Sequence, residues 1–222
     1  MFQFLALSLH RRNTMNSLNV TRYILSGGFI TKASDRGRAF YRAIIGDQIR
    51  NAKVLICCFA LPRENWVAAF DDEKGRFQLF NGALTMHFQN ADPSRFADQV
   101  AWADVIVFRG GSTKSLMDVL SDILGWQKNL SGKTVVGSSA GAHMLSSSYL
   151  VTDAGPQLAT GLGLLPVVIA THYQSTFIHD GDIDKSRVFW DKVDSLLKSK
   201  AGGKDVLALK EGDFQIVASD NS

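Results

Sequence analysis

The chain has 222 residues, of which 45% are hydrophobic and 20% charged, as in an ordinary soluble globular protein. Its formal charge of +3 is small and is not concentrated in any run of lysine or arginine, so neither a nucleic acid nor a membrane surface is predicted as a partner. No stretch reaches the roughly 18 uninterrupted apolar residues that a membrane helix needs.

The predicted elements alternate short apolar runs with longer amphipathic stretches. In chain order, we predict strand 23–26, helix 37–51, strand 53–59, helix 64–70, weak strands 76–79 and 83–86, helix 93–102, strand 104–108, helix 113–129, strand 134–137, strand 167–170, helix 185–200 and strand 206–209. Continuous apolar strands separated by helices indicate a parallel sheet that is covered on both faces. The sequence therefore predicts an α/β fold with a single doubly wound, mostly parallel sheet and helices on both faces.

The chain shows no repeats, linkers or low-complexity tracts, so residues 23–222 are predicted to form one domain behind an N-terminal extension, 1–22. The extension begins with an apolar stretch, but its arginines follow that stretch, which is the wrong order for a secretory signal. Whether Met15 is the true start is left open. Cys57 and Cys58 lie in an apolar run and predict buried free thiols, which fits a reducing cytoplasm.

Residues 135–142 (VVGSSAGA) combine an apolar run with the pattern G-x-S-x-G and a helix-forming segment. This pattern is typical of a nucleophile elbow, in which a strand ends, one serine occupies a sharp turn and a helix begins. Gly137 and Gly141 supply the space that such a turn needs, and Ser139 is the candidate nucleophile. A Ser/Gly-rich turn without chemistry is the alternative, and the five residues alone do not decide between the two.

Other polar residues follow the predicted strands at the same edge of the sheet, where open parallel sheets bind their ligands. His172 follows strand 167–170 and Glu211 follows strand 206–209. With Ser139 they supply the parts of a serine hydrolase, namely a nucleophile, a general base and a carboxylate that orients the base.

Two backbone amides are candidates for the oxyanion hole. One belongs to Ala140, directly after the nucleophile, and the other to Gly111 in the Gly110-Gly111 turn after strand 104–108. Each feature also has a simpler interpretation, because a glycine pair can merely begin a helix and a histidine or glutamate can merely end a strand. His143 is interpreted as a packing or surface residue, since its helix should carry it away from the crevice.

Four stretches carry a family resemblance: residues 108–113 (FRGGST), 137–142 (GSSAGA), 163–173 (GLLPVVIATHY) and 209–213 (LKEGD). With them the chain resembles the aspartyl dipeptidase (peptidase E) family, which also contains cyanophycinase. The resemblance implies a glutamine amidotransferase-like α/β fold and a Ser-His-Glu triad in the chain order Ser139, His172, Glu211. That order differs from the Ser…Asp/Glu…His order of α/β-hydrolases.

The resemblance also implies substrate-binding residues. Gly110 lies at the substrate, and Arg187 falls near a family arginine that could pair with an acidic substrate side chain. Asp153 resembles a family aspartate near the site and is the alternative third member of the triad. Two departures are the turn, where the family usually has Gly-Gly-Asn-Thr, and residues 174–185, which are not close to the family pattern.

The predicted function is therefore that of a cytoplasmic serine peptidase that cleaves short peptides through an acyl-enzyme, without metal or cofactor. Dipeptides with an N-terminal aspartate are the first expected substrates, and other short or isopeptide-linked substrates the second. A non-catalytic ligand-binding protein and an esterase with the same site are the alternatives. A homodimer is kept open as the assembly.

Overall fold

A computed structural model describes residues 20–30, 34–46, 51–81, 85–152, 155–176 and 183–220. The strands are β1 (Val20–Ser26), β2 (Asn51–Cys57), β3 (Thr85–Asn90), β4 (Val105–Phe108), β5 (Thr134–Ser138), β6 (Ser146–Val151), β7 (Gln157–Thr160), β8 (Leu165–Ala170), β9 (Asp205–Ala208) and β10 (Phe214–Asp220). The helices are α1 (Ser34–Ile45), α2 (Trp66–Asn81), α3 (Phe96–Trp102), α4 (Thr113–Ser121), α5 (Ala140–Leu145) and α6 (Ile183–Lys200).

The larger sheet has six strands in the order β10-β1-β5-β4-β2-β3, and all neighbours are parallel except β1 and β10. Its central strands are buried on both faces, because alternate residues point to opposite sides. Leu25 and Leu55 pack into a core with α3 and α4, whereas Ile24 and Ile56 pack into a core with α1 and α2. The predicted α/β fold, a mostly parallel sheet with helices on both faces, is confirmed.

The remaining strands form a second sheet of four, in the order β7-β6-β8-β9. The prediction of a single sheet did not anticipate this division. After Ser139 the chain makes only the six-residue helix α5 before β6 begins, so the following strands start a new sheet beside the first. Helix α6 covers one face of this second sheet, with Trp190 and Val193 packed against Val168 and Ala170.

Several element boundaries differ from the predictions for identifiable reasons. The helix predicted over 37–51 ends at Ile45, and Gly46 follows with a φ of 63°, the left-handed conformation that commonly ends helices. The helix predicted over 113–129 ends at Ser121, and Gly125 begins a separate 3-10 turn. Residues 76–79, predicted as a weak strand, belong to α2, where the Phe77 ring packs 4.9 Å from that of Tyr41.

The predicted extension 1–22 lies outside the described residues except for 20–22, which belong to β1. Cys57 and Cys58 are buried free thiols, as predicted, and burial raises the pKa of Cys58 to about 11. Among the described residues, no helix has the length and apolar character needed to cross a bilayer.

The two sheets meet at the glycine pair that follows β1. The carbonyl of Gly27 accepts the amide of His172 at 3.1 Å, and that of Gly28 accepts the amide of Gly212 at 2.9 Å. A methyl group on Gly27 would lie 2.2 Å from the carbonyl oxygen of Lys210, so only glycine allows this approach. The carboxyl ends of β5, β8 and β9 are thereby held at one place.

Candidate active site

Ser139 lies at the sharp turn between β5 and α5. Its φ of 48° and ψ of −106° place a non-glycine residue in a strained backbone conformation, which its amide supports by donating to the carbonyl of Ser26 at 3.1 Å. A Cβ on Gly141 would lie 2.3 Å from the carbonyl oxygen of Phe108, and one on Gly137 would lie 2.7 Å from the Ala142 nitrogen. The small residues of the motif are thus required by close backbone packing.

The structure brings Ser139, His172 and Glu211 together in one hydrogen-bonded chain. The Nε2 atom of His172 lies 3.0 Å from Oγ of Ser139, and its Nδ1 atom lies 3.2 Å from Oε1 of Glu211. The hydroxyl of Ser175 donates to the same Glu211 oxygen at 3.0 Å. Ser175, which sequence reasoning did not single out, therefore helps to fix the carboxylate.

The imidazole of His172 rests against the glycine turn that follows β1. A Cβ on Gly28 would lie 2.5 Å from Cε1 of the ring, so the ring occupies the space that a side chain would need. The Phe29 ring meets His172 edge-on, with 5.3 Å between the ring centroids. In the sequence, Gly27 and Gly28 follow the predicted strand 23–26, but the site prediction did not include them.

The second glycine turn joins β4 to α4 beside Ser139. A Cβ on Gly110 would lie 3.3 Å from Cβ of Ser139, and Gly111 has a φ of 145° with its Cβ position 2.4 Å from the carbonyl oxygen of Ala60. Ser112 then caps α4 by accepting the amide of Ser115 at 3.1 Å. Both the glycines and the helix cap are present, so the two interpretations of this turn are compatible.

A cavity of about 510 Å³ opens in front of these residues. Ser139, His172 and the Gly110-Gly111 turn line it together with apolar side chains from several elements. Three side chains of the lining, Glu73, Arg76 and Arg109, form a group that we call the charged wall.

The charged wall is held by its own ion pairs. Nε of Arg109 lies 3.2 Å from Oε2 of the buried Glu73, and Nη2 of Arg109 lies 2.9 Å from Asp72. Asp72 also pairs with Arg76 at 3.0 Å. The hydroxyl of Tyr41 donates to Glu73 at 2.7 Å, and burial together with this carboxylate raises the Tyr41 pKa, so the phenol remains a donor.

Sequence reasoning missed the charged wall because its members come from different elements. The helix predicted over 64–70 continues in the structure to Asn81, and this extension carries Glu73 and Arg76 to the cavity. Arg109 was noted only as part of the FRGGST stretch. The sequence does contain one indication of these ion pairs. Asp72 and Arg76 are four residues apart, which is the spacing at which side chains on one helix face can pair.

His143 packs behind the crevice, and its ring also makes polar contacts that the sequence interpretation did not include. Its ring is partly buried, and both ring nitrogens lie within hydrogen-bond distance of threonine hydroxyls next to the catalytic segments. The helix carries it behind the crevice and not out to solvent.

Of the other predicted substrate-binding residues, Arg187 is not brought to the site. Arg187 lies on α6 with its side chain 72% exposed and pairs with Asp184 at 3.5 Å; it does not line the cavity. Asp153 lies outside the described residues. In the described ranges, no cluster of histidine, cysteine or carboxylate side chains could hold a metal ion.

The model of peptidase family S51 matches residues 41–221. A peptidase from an acI-B1 Actinobacterium has a similar structure, with 19% identity, a TM-score of 0.60 and coverage of 92% of this chain and 86% of that chain. A candidate peptidase E protein from Listeria monocytogenes EGD-e gives 14% identity, a TM-score of 0.59 and coverage of 91% and 100%.

No curated protein sequence matches the chain. The two solved structures support the fold, whereas the family match covers most of the sequence and agrees with the resemblance to peptidase E. The chain belongs to peptidase family S51 and is a serine peptidase.

Proposed function

We propose that this peptidase hydrolyses short peptides through a covalent acyl-enzyme formed on Ser139. The observation that carries the proposal is the continuous contact from Glu211 through His172 to Ser139, with distances of 3.2 and 3.0 Å. These distances are those of a nucleophile, a general base and a group that orients the base.

The mechanism follows from the atoms in contact. As Oγ of Ser139 attacks the scissile carbonyl, Nε2 of His172 accepts the hydroxyl proton. Glu211 accepts a hydrogen bond from the Nδ1–H group of His172, which fixes the tautomer and stabilises the imidazolium. The proton then passes to the leaving amine, and a water molecule releases the acyl group by the same steps in reverse order.

The amides of Ala140 and Gly111 are the proposed donors to the oxyanion. Ala140 is the first residue of α5, where the amide has no acceptor within the helix. Gly110 supports this assignment because the absence of its side chain brings the turn close to Ser139. Loss of one such donor costs about 10²–10³ in rate.

For the substrate, we propose dipeptides with an acidic N-terminal residue. The cavity lining carries Arg76 and Arg109, and the carboxylates of Glu73 and Asp72 hold these two guanidinium groups in place. An arginine has five N–H donors, so it can bind a substrate carboxylate through charge-assisted hydrogen bonds beside its protein partner. We therefore assign the recognition of an acidic group to Arg76 and Arg109 in place of the exposed Arg187, and Asp153 stays a predicted contact.

The first experiment tests the nucleophile. A fluorophosphonate probe should label the wild-type protein and the Ser199→Ala variant, whose serine lies on the exposed side of α6, but not Ser139→Ala. Labelling that persists in Ser139→Ala assigns the nucleophile elsewhere. A folded wild-type protein that is not labelled contradicts the proposed mechanism.

The second experiment tests the substrate with the isosteric pair Asp-Ala and Asn-Ala. We expect a lower KM for Asp-Ala, and Arg76→Gln should raise that KM about tenfold while the KM for Asn-Ala stays unchanged. Equal hydrolysis of both dipeptides contradicts the acidic preference. Cleavage of simple esters without any cleavage of dipeptides would indicate an esterase.

The buried free thiols support a reducing compartment, and we propose that the enzyme is cytoplasmic.

A further inference from the structure

His143 forms a bridge between two threonines. Its Nδ1 atom lies 3.1 Å from Oγ1 of Thr113, and its Nε2 atom lies 2.8 Å from Oγ1 of Thr171. The ring is stacked on Tyr149, with 4.6 Å between centroids and 13° between planes. Three contacts therefore fix the position and the rotation of this imidazole.

The bridge connects the three segments that carry the reaction. Thr113 begins α4, directly after the turn that contains Gly111, and Thr171 immediately precedes His172. His143 itself lies one helical turn after the nucleophile, and its amide donates to the Ser139 carbonyl at 3.0 Å. A single side chain thus connects two segments. One is the Gly110-Gly111 turn, which we call the oxyanion turn, and the other is the segment that ends at His172.

We propose that His143 is a positioning residue that sets the distances between the oxyanion turn, Ser139 and His172 through its two threonine partners. The inference rests on the proposed function, because these three segments matter together only if Ser139 acts as the nucleophile. It assigns no contact with substrate to His143.

The protonation state of His143 suits this task. Burial and the neighbouring His172 lower the pKa of His143 to about 3, so the ring is neutral at ordinary pH. A neutral imidazole has one N–H donor and one acceptor nitrogen, and a threonine hydroxyl can take either role. Both bonds can therefore form at once, without a positive charge that would oppose the imidazolium of His172.

A packing role alone makes a different prediction. If the ring only fills space, removal of a threonine hydroxyl without change of shape should have no effect on catalysis. If the ring positions the base, the hydroxyl of Thr171 is essential, because it is the only described contact from His143 to the segment before His172. The two roles can be separated by isosteric substitution.

The first test compares Thr171→Val, which removes the hydroxyl and keeps the shape, with Thr171→Ser, which keeps the hydroxyl. Thr171→Val should reduce the rate of fluorophosphonate labelling and kcat by about 10- to 100-fold, as expected for a displaced base, with little change in KM. Thr171→Ser should stay within about twofold of the wild type. Equal rates for Thr171→Val and wild type overturn the proposal.

The second test uses His143 itself. Glutamine places an amide near the position of Nε2 and asparagine near that of Nδ1, so His143→Gln can keep the bond to Thr171 and His143→Asn the bond to Thr113. His143→Gln should retain more activity than His143→Asn or His143→Ala. His87→Ala, at an exposed histidine of β3, is the control. Three equally active His143 variants contradict the proposal.

A third measurement does not depend on catalysis. The NMR signal of the His172 Nδ1 proton, which bonds to Glu211, should exchange faster with water in Thr171→Val but not in Thr171→Ser. If the wild type is neither labelled nor active, the proposed function fails, and this signal still decides the positioning role. An unchanged signal in folded Thr171→Val overturns the inference even if the enzyme is active.

Discussion

The two sheets of this peptidase contribute different parts of the same site. The six-stranded sheet, whose central strands are buried on both faces, carries Ser139 after β5, whereas the four-stranded sheet carries His172 after β8 and Glu211 after β9. The outer strand β7 of the four-stranded sheet has no fully buried residue. The proposed nucleophile thus follows a buried central strand of the larger sheet, and the proposed base and its carboxylate follow strands of the smaller sheet.

This difference indicates that catalysis depends on the junction between the sheets as much as on either sheet. The junction includes backbone contacts at Gly27 and Gly28, the His143 bridge and a hydrophobic core in which Ile169 and Leu207 pack with residues of the larger sheet. Changes on the side of the second sheet should therefore abolish activity without unfolding the first, and changes at the junction should affect both stability and activity.

The largest effect is expected from Glu211→Gln, which removes the proposed carboxylate from the second sheet and keeps the side-chain shape. Loss of the orienting charge should lower kcat by about 10³–10⁴, as for triads in general. Steady-state kinetics and circular dichroism would measure activity and folding together. If Asp153→Asn has this effect and Glu211→Gln does not, Asp153 is the third member of the triad.

A large effect on stability is expected from Gly27→Ala. The new methyl group would lie 2.2 Å from the Lys210 carbonyl oxygen, so the two sheets must move apart. Overpacking of this kind costs about 1–3 kcal/mol in the free energy of unfolding, measured by urea titration.

Gly75→Ala on α2 is the matched control, because nothing lies within 4 Å of its Cβ position. Alanine should there stabilise the helix by about 0.5–1 kcal/mol. Activity that survives Gly27→Ala unchanged would show that the junction tolerates displacement.

A moderate effect should appear as a pH dependence of stability. The pKa of His143 is lowered to about 3 in the folded protein, from an ordinary 6.5. Between these values the unfolded state binds the additional proton, so acidification from pH 6.5 towards 3 destabilises the wild type by up to about 1.4 kcal/mol per pH unit.

His143→Gln should lose this contribution, so urea titrations at several pH values should give a shallower slope for the variant. Identical slopes for the two proteins would mean that His143 becomes protonated in the folded state as readily as in the unfolded state.

The smallest effect is expected from Arg187→Ala. The side chain is exposed and pairs only weakly with Asp184, and surface pairs contribute about 0–1 kcal/mol. The KM for Asp-Ala should change less than about twofold. A tenfold rise would restore the role that the family resemblance predicted for this arginine.

The sequence predicted the first sheet better than the second, for a physical reason. Strands such as β4 and β5 are buried on both faces and therefore read as continuous apolar runs. Strand β6 begins with three serines, and β7 and β10 mix apolar with polar residues, so their pairing partners define them more than their own sequence does. All three were missed.

The residues of the candidate site divide in the same way. Ser139, His172 and Glu211 could be found because each follows a recognisable strand end in the sequence. Ser175 and His143 act through contacts with residues distant in sequence, and Glu73 reaches the cavity only because α2 is longer than its sequence pattern indicates. Such partners follow from tertiary packing, which one sequence does not display.

The pairing of β1 with β10 has a consequence for how the protein folds. Tyr23 lies opposite Val217, so two adjacent strands of the larger sheet are separated by most of the chain. Closing such a long loop lowers the conformational entropy of the chain before the stabilising contacts between the two strands can form. Folds with many contacts of this kind form slowly. Because Glu211 shortly precedes β10, the proposed Ser-His-Glu arrangement can form only after nearly the whole of the β1–β10 loop has been synthesised.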